Sequence, residues 1–181
     1  MDFKKCKLNG IVICKPKLFE DSRGFFAETF RRDLLENYIG KEINICQSNT
    51  SHSKYGTIRG LHFQLSESSQ SKLVSVSYGE ILDVVVDLRK KSETFGEVFS
   101  IKINDKNNFS LFIPKGFAHG FSVLSDYARV NYHVDSYYNK NQESGINPLD
   151  SELNIDWKIS NRLAIISEKD SKLPNFSDCK F

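Results

Sequence analysis

The sequence predicts a mainly β fold, a β-sandwich or jelly-roll barrel with a few short helices, on two observations. Short apolar segments with a period of two, seven or more of them, follow one another closely through the middle of the chain. Gly- and Pro-bearing breaks separate them, whereas only one stretch has helical spacing.

That stretch is RRDLLENYI (31–39), in which Leu34, Leu35 and Ile39 recur at the spacing of one helix face. TIRGLHFQ (57–64) reads as a strand, with Arg59, Gly60 and His62 set into an otherwise apolar run. KLVSVSY and ILDVVVDL flank Gly79-Glu80, which predicts a hairpin with a glycine turn. EVFSIKIND alternates Phe99, Ile101 and Ile103 with Ser100, Lys102 and Asn104, the pattern of a half-buried strand. FSLFIPKGFAHGFSVLS predicts two short strands around a Pro/Gly loop, and ARVNYHVDSYY puts Val130, Tyr132 and Val134 on one face. From Asn139 onward the sequence predicts irregular chain with short helical pieces.

With no internal repeat, low-complexity tract or linker, the chain is expected to form a single domain over residues 1–181. Lys+Arg exceeds Asp+Glu by only two, and the charges are scattered, which argues against a nucleic-acid or membrane partner. The start, MDFKKCKLNGIVICKPK, lacks the apolar core of a signal peptide, and no stretch approaches a membrane span. Cys6, Cys14, Cys46 and Cys179 are dispersed and form no C-x-x-C pair, so they read as reduced thiols. A cytoplasmic location is expected.

Buried imidazole and guanidinium groups are costly unless something uses them. In a strict strand Arg59 and His62 face opposite sides, so they line one pocket only if Gly60 introduces a bulge or twist. Tyr132 points towards whatever the sheet encloses, Lys72 begins a strand, and Asp170 closes SEKD, which resembles a helix-start capping box. Each has an ordinary structural explanation on its own.

The loop PKGFAHGF (114–121) matches P-x-G-x-x-H, the second half-motif of the cupin jelly rolls, and ends on His119. Metal-dependent cupins also carry H-x-H and a glutamate in the first half-motif. Here that place reads His62-Phe63-Gln64, and two imidazoles rarely make a tight metal site. The expectation is a cupin that holds no metal and works with side chains alone.

Six blocks in order, DSRGFFAETF, QSNTSHSKYGTIRGLHFQ, KLVSVSYGEILDVVVDLRKKSETFG, IPKGFAHGF, NYHVDSYY and SEKD, resemble the dTDP-4-dehydrorhamnose 3,5-epimerase family from about residue 10 to residue 172. The resemblance implies a cupin fold and the inversion of C3 and C5 of a dTDP-4-keto-6-deoxyhexose, with no cofactor. It implies His62 as general base, Asp170 as the carboxylate orienting it, Tyr132 as general acid and Lys72 as the cation beside the developing enolate. Arg59 corresponds to a ligand-contacting arginine, and Gln47, Ser48 and Asn49 to a diphosphate-and-sugar contact segment. His119, Glu143 and Lys169 correspond to further ligand contacts, and Tyr138 to an aromatic that stacks on thymine. Arg23 and Glu28 correspond to nucleotide contacts that reach a neighbouring subunit's site, so a homodimer is implied. The aromatic, charged SRGFFAETF suits a segment exchanged between partners.

Those roles suit the chemistry. A proton on carbon beside a ketone is acidic because the carbanion delocalises onto oxygen. Inverting the centre needs a base on one face of the ring and an acid on the other. Neutral histidine suits abstraction near pH 7, and a tyrosine with an ordinary pKa of about 10 is a protonated donor there. Two departures from the family pattern bear on the substrate. GINPLDSELNIDW has Leu149 near the usual place of a tryptophan, and QSN stands where QDN is common. The form N-P-L-D resembles relatives acting on other 4-keto-deoxysugars, some inverting one carbon. The alternatives are a single-centre epimerase and an epimerase of another nucleotide-linked sugar or heptose, and, from other classes, a cupin that only binds a sugar nucleotide and a metal-dependent cupin oxygenase.

Overall fold

The computed structural model describes residues 1–180. The chain opens with β1 (Asp2–Lys5) and β2 (Val12–Lys15), followed by the two-residue-linked pair β3 (Leu18–Asp21) and β4 (Gly24–Ala27). Helix α1 (Arg32–Ile39) falls where the spacing of Leu35 and Ile39 predicts it. Then come β5 (Gln47–Lys54), β6 (Thr57–Gln64), β7 (Lys72–Tyr78), β8 (Glu80–Asp87), β9 (Val98–Asn104), β10 (Ser110–Ile113), β11 (Phe117–Val123) and β12 (Tyr127–Val134). The irregular remainder carries β13 (Glu143–Gly145), β14 (Ile165–Ile166) and the one-turn helix α2 (Glu168–Ser171), both strands being additions to the sequence expectation.

Two sheets face each other as a jelly roll. One runs β1-β2-β10-β7-β12-β5; the other runs β13-β6-β11-β8-β9, with β14 parallel to β6 at its edge. The hairpin expected at Gly79-Glu80 does not form: β7 pairs with β10 and β12, β8 with β11 and β9, so the turn carries the chain from one sheet to the other. Gly79 is needed there because its φ is +80° and a Cβ would lie 2.0 Å from the Tyr127 carbonyl oxygen. The same crossover separates β10 from β11 around the Pro/Gly loop.

Alternation decides what each strand encloses. In β8, Ile81 and Val85 point between the sheets, against Val74 and Val76 of β7, Phe121 of β11 and Val130 of β12. Leu82, Val84 and Val86 point outward, but the C-terminal chain covers them with Ile146, Leu153, Trp157 and Phe176. Both faces of β8 are buried, which explains why its sequence is a nearly unbroken apolar run. On the other sheet Leu35 of α1 and Ile43 cover Val12, Leu73 and Phe112. β3 and β4 form a sheet of their own that leaves Phe19, Phe25 and Phe26 half or more exposed. Among the described residues no helix is long and apolar enough to cross a membrane.

Candidate active site

At one end of the space between the sheets the inward-facing positions turn polar. Along β7 the inward series is Lys72, Val74, Val76; along β12 it is Val130, Tyr132, Val134; along β11 it is Phe117, His119, Phe121. The polar members line a cavity of about 210 Å³ together with Asn49, Arg59, His62, Gln64, Gln70, Tyr138 and Glu143. Strand periodicity alone would send Arg59 and His62 to opposite faces. They meet because Gly60 sits at φ +109° and the β6–β11 register slips between His119 and Phe121. The slip turns Leu61 outward into the covered face and His62 inward. Only glycine fits, since a Cβ at residue 60 would lie 2.6 Å from Gly120 Cα.

His62 is held from behind. Its Nε2 lies 2.8 Å from Asp170 Oδ1, and Asp170 Oδ2 accepts from the Gly60 N–H at 3.2 Å. Asp170 is buried because α2 starts at Ser167, whose hydroxyl accepts from the Asp170 N–H at 3.0 Å. Burial pushes the Asp170 carboxyl up, but its bonds to His62 and Gly60 outweigh that and hold it below the ordinary value. A carboxylate only accepts, so Nε2 carries the imidazole proton and Nδ1 keeps the free lone pair.

Tyr132 stands on the opposite sheet, its ring edge-on to His119 at 6.3 Å and its hydroxyl 2.9 Å from Ser51 Oγ. Burial raises its pKa against the lowering effect of Ser51, so the phenol keeps its proton at neutral pH. The Lys72 amine lies 3.5 Å from the His62 carbonyl oxygen. Desolvation lowers its pKa to about 8, opposed by the charges of Asp83 and Glu143.

Other expected residues divide into groups. Arg59 is anchored by its Nε to Ser53 Oγ at 3.0 Å. His119 is buried with its Nε2 3.0 and 3.1 Å from the two oxygens of Asp83. At the mouth Tyr138 donates to Glu143 Oε2 at 2.6 Å, and Lys169 pairs with the same oxygen at 2.6 Å. Gln47 accepts from the Tyr138 N–H at 3.0 Å and donates to Asn49 at 2.8 Å. Asp170, Gln47 and Lys169 touch residues of the cavity wall without lining it, and three further expected residues stand apart from it. Ser48 is exposed on the face of β5 opposite to Gln47 and Asn49. Arg23 and Glu28 are exposed beside β4 and pair with Asp21 and Arg31.

Asp83, Ser51 and Ser53 belong to the arrangement but were not singled out from the sequence. An acidic residue inside ILDVVVDL is the signal that reveals Asp83. QSNTSHS offers no apolar face to show which side of β5 points inward. Among the described residues no group of three His, Cys, Asp or Glu is placed to hold a metal ion. An imidazole backed by a carboxylate, a protonated phenol and a desolvated amine converge on one cavity, a set suited to moving protons on and off carbon next to a carbonyl.

Known proteins resemble this chain throughout its length. Residues 5–178 match a family model described as dTDP-4-dehydrorhamnose 3,5-epimerase. The dTDP-4-dehydrorhamnose 3,5-epimerase of Shigella flexneri is 41% identical over 181 residues, covering 100% of this chain and 99% of that protein. The crystal structure of dTDP-4-dehydrorhamnose 3,5-epimerase from Elizabethkingia anophelis NUHP1 superposes with a TM-score of 0.96 at 42% identity, covering 100% of this chain and 99% of that one. A dTDP-6-deoxy-D-glucose-3,5-epimerase from Legionella pneumophila Philadelphia 1, in complex with dTDP-4-keto-L-rhamnose, gives 0.94 at 38% identity, covering 99% and 94% of the two chains.

Proposed function

The chain belongs to the dTDP-4-dehydrorhamnose 3,5-epimerase family, and from that premise we propose that it inverts C3 and C5 of dTDP-4-dehydro-6-deoxyglucose to give dTDP-4-dehydrorhamnose. The observation that carries the reading is that His62 of one sheet and Tyr132 of the other line a single cavity beside the Lys72 amine.

The steps follow from those groups. His62 Nδ1 takes the proton from the carbon beside the ketone, the C–H pair forms a C=C bond, and the carbonyl π pair moves onto oxygen. Lys72 donates to that oxygen as charge develops, a contact whose loss typically costs roughly 3–4 kcal/mol in the barrier. Asp170 stabilises the imidazolium. Tyr132 then supplies its proton to the opposite face of the carbon, the C=C pair makes the new C–H bond, and the C=O bond reforms. The oxidation level is unchanged. Arg59, Asn49 and Tyr138 are assigned to hold the nucleotide diphosphate and sugar, with His119, Glu143 and Lys169 as further contacts.

The reading extends to a homodimer, supported by the exposed Phe19, Phe25 and Phe26 of the β3–β4 pair and by the position of Arg23 and Glu28 away from their own chain's cavity. Gln47 and Ser48 belong to the same contact segment as Asn49, Ser48 from its outer face. A cytoplasmic location goes with the four free thiols.

Incubating the protein with dTDP-4-keto-6-deoxyglucose in heavy water and following the sugar by NMR tests the assignment. Deuterium at both C3 and C5, with inversion, is the expected result. Uptake at one carbon alone moves the assignment to a single-centre epimerase. No uptake in a protein that binds dTDP overturns it in favour of a binding module, and uptake only with other nucleotide-linked 4-keto sugars or heptoses reassigns the substrate.

A further inference from the structure

Tyr132 does not stand alone on its sheet. β5 pairs with β12 so that Asn49 lies opposite Tyr132 and Ser51 opposite Val130, which brings the Ser51 hydroxyl to the phenol from the flank. The two oxygens are 2.9 Å apart, and among the described residues Ser51 is the one hydrogen-bond partner of the Tyr132 hydroxyl. Ser51 itself is absent from the cavity lining. The next inward residue of β5, Ser53, accepts from Arg59 in the same manner.

Resting on the epimerase reading, we infer that Ser51 is a positioning residue for the general acid: its hydroxyl donates to the Tyr132 oxygen, leaving the phenol proton aimed at the sugar. If Tyr132 donated to Ser51, its proton would point into β5 and the bond would have to break before catalysis. With Ser51 as donor the phenol O–H is free. When that O–H bond breaks and the proton joins the enolate carbon, the negative charge left on the phenolate oxygen turns the Ser51 bond into a charge-assisted one. A bond that strengthens only as the proton leaves raises kcat and leaves ground-state binding alone. The lowering effect of Ser51 on an otherwise raised Tyr132 pKa agrees with this direction.

Ser51→Ala tests it, with Ser51→Thr as the variant that restores the hydroxyl on a strand that favours β-branched residues. In heavy water, deuterium uptake with retained configuration reports His62 taking and returning a proton. Inversion reports delivery by Tyr132. Ser51→Ala is expected to lower kcat for inversion roughly 10- to 100-fold, the factor for losing one hydrogen bond to a charged group, with KM within about twofold. Exchange with retention should rise relative to inversion by a similar factor, and Ser51→Thr should restore both. If Ser51→Ala does not fold, Ser51→Cys, a weaker donor of similar shape, carries the same expected ordering. Wild-type kcat in Ser51→Ala, exchange and inversion falling in step, or no recovery with Thr overturns the inference. A wild-type protein that exchanges neither carbon overturns the epimerase reading, and this one with it.

Discussion

Replacing Lys72 with methionine keeps an unbranched stem at the cavity wall and removes the amine. The amine's pKa falls from 10.5 to about 8 because the protein desolvates it more than Asp83 and Glu143 compensate. The unfolded chain therefore holds this proton up to about pH 10.5, while the folded chain releases it near pH 8. Below pH 8 both states are charged and the desolvation cost is fully present. Between the two values the unfolded state binds more protons, so the contribution of this group to stability rises with pH, by about 1.4 kcal/mol per unit. The whole rise is at most about 3 kcal/mol, an upper limit because Lys72 is only half-buried at the cavity wall. Activity moves the other way, since the oxyanion loses its cation as pH passes 8. Urea unfolding of wild type and Lys72→Met from pH 7 to 10.5 should show the wild type gaining up to about 3 kcal/mol relative to the variant. Over the same range wild-type kcat should fall, and the variant should already be about 10²- to 10³-fold slower at pH 7. Parallel stability curves, or a wild-type kcat that stays flat beyond pH 9.5, would refute the placement of a desolvated, charged amine beside the reacting oxygen.

Asp170→Asn replaces an acceptor of the His62 proton with an amide that can donate; kcat should fall about 10²- to 10⁴-fold with KM nearly unchanged, measured by steady-state kinetics. The Asp170 carboxyl is held below its unfolded value, so it supports the fold above that value and loses the support as pH falls, and acid unfolding of the variant should lack this component. Gly60→Ala forces a Cβ to 2.6 Å from Gly120 Cα and 2.7 Å from the His119 carbonyl oxygen at a positive φ. A loss of at least about 2 kcal/mol in denaturant unfolding is expected, with activity lost because Arg59 and His62 share the bend. Phe25→Ser with Phe26→Ser removes exposed aromatic surface from the β3–β4 pair; under the proposed homodimer, sedimentation should show wild type as a dimer and the variant as a monomer at micromolar protein.

Legibility in the sequence followed the physics of each element. β9 and β12 read cleanly because one face is apolar and the other is not, and the period survives in the letters. The jelly-roll class is legible in the strand pattern and the P-x-G-x-x-H loop, but the strand pairing is not, because an apolar run such as β8, buried on both faces, looks the same whether its neighbour lies in its own sheet or across the core. Gly79-Glu80 therefore carries the letters of a hairpin turn although the chain changes sheets there. In the site, His62 and Arg59 stand out as costly groups in an apolar run, whereas the cap gives Asp170 an ordinary structural explanation and only the family resemblance implies its role. Asp83 carries the same signal within ILDVVVDL. Ser51 and Ser53 gave none, since the inward face of β5 is as polar as its outward face and only the pairing with β12 and β6 side chains distinguishes them. Ser48, one residue from Asn49, shares its segment but points the other way.

That His62 and Tyr132 serve opposite faces of one sugar ring is tested most directly by comparing His62→Ala and Tyr132→Phe for deuterium uptake and inversion on the same 4-keto sugar. With dTDP binding intact in both, His62→Ala is expected to lose exchange and inversion together, whereas Tyr132→Phe keeps exchange with retained configuration and loses inversion. Inversion surviving in Tyr132→Phe at the wild-type rate, or exchange persisting undiminished in His62→Ala, contradicts the assignment of acid and base to these two side chains.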